Sequence, residues 1–509
     1  MTKKIMFAAA FMLVLLLAVP ATADDTESRM AELQNQVNVL MQQNQNMEER
    51  IRLLEDLLAQ KVAPGELKTI KPEEVKQLVK DAQEDADKKE REKITESVKK
   101  VHDKLPDFLP AYITRGLEYH GYFRSGYGLN SKGGKMEAFQ APDAPAKYRL
   151  GNEQETYIEA VFLNKNWNPD PEGIIVETQI RLSYQTQQNQ SQDLTNQFFL
   201  REMFGRMGNF VQSDPEIKVW GGERFYRLPE LEINDFWWSD MSGYGGGFED
   251  IDIGPGKLAI AYIGYSANDV NLSTDRGRLA KSNLHFMVYD VDVPYGKATM
   301  WVNGGFVKGG IDTDNTNLKY PDMGGVDVGV MHYIPGDNAN NQFSAQFGCG
   351  ANTSLSAGAN LPTGGDDRKS WRVRLTDMYN KQVTDKLCLQ AVGVFQLSDY
   401  GHATKQYETW LSAGVRPVYM FDKHFGIEFE PGIDYINNPR DGYNACLYKV
   451  TGGFRITPGV IFDSRPVFRL FATYARWTDG FKGNSILGGN AYTTDSQGLN
   501  FGVQCESWW

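Results

Sequence analysis

Past residue 23 this chain has no apolar run near the ~20 residues that a membrane-crossing helix needs. Its mean hydropathy is −0.46. Basic charge is in deficit, giving a formal net charge of −12 at pH 7. An acidic chain is a poor match for a phosphate backbone, so nucleic acid is not an expected partner. Histidine is scarce, with 6 in 509 residues, and no HExxH, GxSxG, P-loop or GxGxxG pattern occurs. Carboxylates are plentiful, but nothing pairs a nucleophile with a base, so no enzyme is expected. The 4 cysteines (Cys349, Cys388, Cys446, Cys505) are far apart and form no CxxC pair. That spacing argues against a metal site and implies no cofactor. It leaves room for one disulfide in an exported protein, with the pairing open.

What is present begins with a leader. Lys3 and Lys4 precede an apolar run from Ile5 to Val19, followed by Pro20-Ala21-Thr22-Ala23. This reads as a signal peptide over residues 1–23 with a small-x-small cleavage site, too short for a comfortable anchor. The mature chain is then expected to start near Asp24 and to leave the cytoplasm.

Composition shifts near residue 116, from Glu, Lys, Gln and Leu to Gly, Tyr, Trp, Phe and Asn. Within residues 24–62, Met30, Leu33, Val37, Leu40, Asn44, Met47, Ile51, Leu54 and Leu58 alternate spacings of three and four. This is the pattern of a parallel α-helical coiled coil. Val37 and Ile51, with Asn44 in the seam, favour a dimer in isolation. Ala63-Pro64-Gly65 breaks the helix, and residues 63–115 read as a charge-dense helical connector.

From about Tyr119 the period changes to two. In Ile174–Tyr184, Val176, Thr178, Ile180, Leu182 and Tyr184 share one face; Glu177, Gln179, Arg181 and Ser183 share the other. Thr156–Phe162, Lys297–Gly304 and Pro466–Ala475 repeat the pattern, between Gly-, Asn- and Asp-rich connections. Alternating lipid-facing and lumen-facing residues average to lukewarm hydropathy, so a transmembrane β-barrel over 116–509 is expected. The last strand puts Leu499, Phe501, Val503, Cys505, Ser507 and Trp509 on one face. Asn500, Gly502, Gln504, Glu506 and Trp508 share the other, which places an indole among polar groups in the lumen.

Several segments carry a resemblance: YHGYFRSGYG (Tyr119–Gly128), KYRLGNEQETYIE (Lys147–Glu159), ERFYRLPELEINDFWWSDMSG (Glu223–Gly243), GVRPVY (Gly414–Tyr419), SRPVFRLFATYARW (Ser464–Trp477) and the terminal ESWW. They lie in order and resemble the maltoporin and sucrose-porin family of trimeric sugar-specific outer-membrane porins. The coiled-coil extension is similar to that of sucrose porins. The resemblance implies an all-β transmembrane barrel, an 18-stranded antiparallel porin barrel preceded by the α-helical coiled coil. It also implies a homotrimer in outer-membrane lipid, with a channel in each subunit and an oligosaccharide substrate.

The family lines its lumen with an aromatic slide and a charged constriction. Tyr122, Tyr157, Trp410 and Trp508 match slide positions. Arg124, Arg149, Arg201, Glu159, Glu230 and Asp235 match constriction charges, and Asp240 a further acidic one. Two slide positions are not matched: the entrance Trp falls near Asp193 and the middle Phe near Val328. One family Arg falls on Leu228, beside Arg227, and the constriction Tyr falls on Trp237. These changes imply a tighter channel, with Arg227 reaching the lumen only if its strand bulges and with Trp238 as the alternative lumenal ring. Residues Asn189–Phe210 are expected to contribute to an inward or interfacial loop. An even strand number puts both barrel ends on the periplasmic side. The coiled coil would then meet the cell wall or a sugar-binding protein there. Other readings of the same residues are a general diffusion porin and a tether between outer membrane and cell wall.

Overall fold

The computed structural model describes residues 116–509 apart from 154, 166–172, 187–196, 273–276, 312–318, 359–366, 405 and 461–463. The expected leader, coiled coil and connector lie outside the described residues, as does Asp193.

The first strands are β1 (Leu117–Asn130), β2 (Thr156–Lys165), β3 (Ile175–Thr186), β4 (Gln197–Gly208), β5 (Lys218–Arg224) and β6 (Gly243–Asp252). Next come β7 (Lys257–Leu272), β8 (Gly277–Val293), β9 (Gly296–Val307), the short pair β10 (Gly310–Ile311) and β11 (Lys319–Tyr320), and β12 (Met323–Gly336). The last are β13 (Ala339–Gly350), β14 (Trp371–Thr384), β15 (Leu387–Asp399), β16 (Tyr407–Met420), β17 (Phe425–Asn438), β18 (Tyr443–Ile456), β19 (Val467–Trp477) and β20 (Gln497–Trp508). All but β10 and β11 belong to one 18-stranded sheet. It is closed, because β1 pairs antiparallel with both β2 and β20. Closure gives every strand a partner on both sides, which hydrocarbon demands.

The two-residue period decides which side chains meet lipid. Along β19, Phe468, Leu470 and Tyr474 are exposed on the outer face, whereas Arg469 and Thr473 are buried on the inner one. Connections 131–155, 225–242, 351–370 and 478–496 leave one rim; 294–295, 337–338 and 385–386 close the other. The chain end is stitched to the first strand: Gly121 and Trp509 exchange backbone hydrogen bonds of 3.1 Å each.

The hydrophobic core lies inside the barrel. Phe139 and Tyr148 from the first connection, and Leu231, Ile233, Phe236 and Trp238 from 225–242, pack against Trp301, Trp410 and Trp477 on the wall. Tyr148 lies flat on the inner wall where Gly414 and Gly432 face each other across β16 and β17. A Cβ on either would come within 2.2 or 2.4 Å of its ring. Buried charge anchors the same loop. Glu430 accepts from the Leu150 amide (3.1 Å), the Lys449 ammonium (2.9 Å) and Arg416 Nε (2.6 Å).

Three details bear on the sequence reading. Residues 197–208 form β4, a wall strand, while 187–196 lie outside the described residues; connections 131–155 and 225–242 turn inward. Val328 is exposed on the outer face, because Asp327 takes the lumenal phase. The four cysteines are all free.

Candidate functional site

The packed loops fill one side of the lumen. A cavity of about 1060 Å³ remains on the other, against β1–β5, β20 and the inward loop. Isolated bridges Arg227↔Asp240 and Leu231↔Phe236 fold that loop into a narrow finger. At its tip Asp235 takes a left-handed conformation (φ 52°) after a single 3-10 turn over Glu232–Asn234. Asp and Asn tolerate that region better than other non-glycine residues do. Ile233 and Leu231 turn into the core, which leaves the finger's polar side chains for the cavity.

Eleven of the twelve residues expected from sequence line this one cavity: Tyr122, Tyr157, Trp508, Arg124, Arg149, Glu159, Arg201, Glu230, Asp235, Trp237 and Asp240. Trp410 does not. It has the lumenal phase, but the finger covers it: Phe236 meets its indole edge-on at 5.3 Å, and its Nε1 donates to Asp434 (2.9 Å).

Three rings form a short aromatic track. Tyr122 stands 6.4 Å from Trp508, nearly parallel, and 6.2 Å from Tyr157. Around them guanidinium and carboxylate groups interleave. Arg149 meets Glu506 (2.9 Å) and Glu153 (3.3 Å), and donates to the Tyr122 hydroxyl (2.7 Å). Arg124 pairs with Glu153 (3.5 Å) and Glu155. Arg181 bridges Glu159 (2.6 Å) and Glu202 (2.5 Å), while Tyr157 donates to Glu159 (2.5 Å). Arg201 bonds Ser183 (3.0 Å) and lies over Phe199. On the finger, burial lifts the Glu230 carboxyl to about 7. Burial pushes Asp235 the same way, but Arg149 and Arg124 outweigh it and hold that carboxyl low. Such a ladder presents donors and acceptors in both senses, as a polyhydroxyl solute needs when it sheds water.

The finger also settles which groups face the pore. Trp237 lines the cavity, whereas Trp238 is fully buried with its Nε1 donating to Pro229 (2.8 Å). Leu228 packs toward the core. Arg227 faces the cavity, its guanidinium 3.4 Å above the Trp237 ring and 4.1 Å above Phe225. No strand bulge is needed for this, because β5 ends at Arg224 and period-two alternation ends with it.

The sequence-derived set omits Arg181, Glu202, Glu506, Glu153 and Arg465, which also line the cavity. Arg181 and Glu506 sit on the polar faces already visible in their strands, so phase alone could have found them. Glu153 and Arg465 sit in connections, where no period assigns a direction.

The LamB porin family model matches residues 117–509, the whole barrel. The chain belongs to the LamB porin family. It is an outer-membrane β-barrel channel for diffusion, not an enzyme. Similar solved structures include OccD3 (OpdP) of Pseudomonas aeruginosa, at 9% identity over 77% of this chain and 91% of that one (TM-score 0.40). The opdK protein of the same organism has 10% identity over 78% and 99% (TM-score 0.41). OmpF of Salmonella typhi, in a complex with daunomycin, has 9% identity over 77% and 97% (TM-score 0.39).

Proposed function

We propose that this porin passes neutral oligosaccharides of maltose or sucrose type by facilitated diffusion. The observation that carries the reading is Tyr122, Tyr157 and Trp508 placed in sequence beside the Arg–Glu ladder of one cavity. A pyranose has an apolar C–H face that stacks on rings and a hydroxyl rim that needs donors and acceptors. Each stacking contact contributes on the order of 1 kcal/mol. Weak repeated contacts suit conduction, because the solute must leave as well as enter. Current block by a panel of sugars in a planar bilayer tests this. Saturable block at millimolar sugar is expected. Permeation by charged solutes of similar size at equal rates, without saturation, would reduce the protein to a general diffusion porin.

The same reading includes a homotrimer joined through a parallel coiled coil over residues 24–62, in contact with cell wall or a sugar-binding protein. Three barrels side by side would raise the effective concentration of their helices and override the dimer preference of Val37, Asn44 and Ile51. Cysteines placed at Leu33 or Leu40 in the intact porin should then cross-link all three chains. A ladder that stops at dimers sinks the trimeric coiled coil.

A further inference from the structure

We propose that the pore carries a carboxylate subsite at Arg227, assisted by Arg201, and that it holds sugars bearing one carboxylate, of uronic-acid type, more tightly than neutral sugars of the same length. The inference rests on the sugar reading above and adds a second substrate class to it.

Most arginines on the cavity are already committed. Arg124, Arg149, Arg181, Arg206 and Arg224 each reach a carboxylate. Arg201 and Arg227 line the same cavity and form no ion pair among the described residues. Each is aimed inward by a departure from regular strand. In β4 the register pairs Leu200 with Leu182 and Glu202 with Arg181, so Arg201 is the extra residue of a bulge. A bulge re-aims a side chain, and the consecutive Arg201 and Glu202 both face the cavity. Arg201 donates through Nε to Ser183 (3.0 Å), which leaves its two terminal amino groups toward the pore.

Arg227 is held more rigidly. Its guanidinium carbon lies 3.4 Å from the centre of the Trp237 ring and 4.1 Å from that of Phe225. At 3.4 Å the group lies flat on the indole, because a tilted one would drive a nitrogen into the ring. Its donors then point sideways, and among the described residues the guanidinium donates no hydrogen bond. A planar fork of this kind matches a carboxylate with two parallel bonds, whereas a sugar hydroxyl offers it a single acceptor. Asp240, Glu159 and Glu230 stand near Arg227 and temper the attraction. Glu159 is taken by Arg181 (2.6 Å) and the Tyr157 hydroxyl (2.5 Å), and Asp240 accepts from the Ser242 amide (2.9 Å). None of them occupies the fork. Tyr122, Tyr157 and Trp508 line the same cavity, so a pyranose can stack while its carboxylate meets a guanidinium.

The test is current block of the intact porin in planar bilayers at pH 7. The probes are maltose, the same disaccharide with its terminal C6 oxidised to a carboxylate, and succinate. The acid sugar should block about tenfold more tightly than maltose, the worth of a partly exposed charge-assisted pair. The ratio should shrink as salt is raised from about 0.1 to about 1 M. Arg227→Ala weakens neutral block as well, so the ratio is the readout; it should fall about fivefold there, and about twofold in Arg227→Lys, which keeps the charge without the fork. Arg201→Ala should lower it about twofold through loss of one guanidinium. Heat-modifiable gel migration keeps misfolded variants out of the comparison. An unchanged ratio in Arg227→Ala overturns the subsite. Succinate blocking as tightly as the acid sugar overturns the sugar class of its ligand. Block by maltose with a ratio near one in the unmodified porin removes the subsite alone; block by neither sugar removes the sugar reading and the subsite together.

Discussion

Glu430→Ala is expected to lower unfolding stability by about 3–5 kcal/mol, the usual cost of stripping one partner from a buried ion pair. Glu430 is fully buried and serves three donors at once: Arg416, Lys449 and the Leu150 amide. Its loss would leave two cations and one amide inside the wall without their acceptor. Lys449 also donates to the Leu150 carbonyl (2.8 Å), and so does the Thr451 hydroxyl (2.9 Å). Leu150 is therefore the point where the first connection is fixed to β17 and β18. Arg149 is its neighbour and holds Glu506 and Tyr122 in the pore. The same variant should thus weaken sugar block, although residue 430 does not touch the cavity. Guanidinium titration of folded barrel, with block measured in parallel, reads both effects. Thr451→Val is the companion variant, costing about 1–2 kcal/mol for the hydroxyl's contacts with the Leu150 carbonyl and the Thr473 hydroxyl. A Glu430→Ala porin within 1 kcal/mol of the unmodified one, with block intact, would show that the triad does not anchor the loop.

Much of the barrel was legible because a strand assigns direction. Phase alone put Arg181, Glu506 and Trp508 inside, and the cavity contains all three. Phase cannot say what else enters the lumen. Trp410 has the right parity, yet Phe236, far away in sequence, covers it. The loops pack into the lumen through contacts of this long-range kind, such as Tyr148 on Gly414 and Gly432. No local pattern encodes them. Direction was misjudged where period two was carried past its element. Arg227 and Leu228 lie beyond the end of β5, and their side chains follow the bridges of the finger. Asn189–Phe210 shows the converse case: a stretch expected to loop supplies β4 from residue 197. Its Arg201, Glu202, Phe204 and Arg206 line the cavity.

Replacing Trp237 with Ala is expected to raise single-channel conductance and to weaken sugar block about fivefold, the worth of one stacking contact of roughly 1 kcal/mol. The residue stands on the finger and lines the cavity, while its neighbour Trp238 is locked in the core. An indole at this place on the finger adds bulk to the cavity wall. It also stabilises Arg227, whose guanidinium lies between Trp237 and Phe225. Truncation therefore removes a wall and frees a cation. The two contributions separate with further variants. Trp237→Tyr keeps a ring for Arg227 but narrows less, so conductance should rise while block stays near that of the unmodified porin. Arg227→Ala keeps the indole and removes a fork of donors for hydroxyls, so block should weaken with little gain in width. If sugar affinity falls in Trp237→Ala but not in Arg227→Ala, the ring itself holds the sugar. If it falls equally in both, the stacked pair acts as one unit. Unchanged conductance in Trp237→Ala, with full sugar affinity retained, would remove Trp237 from the constriction and leave the channel's width to Arg149, Arg201 and the Glu230–Asp235 tip.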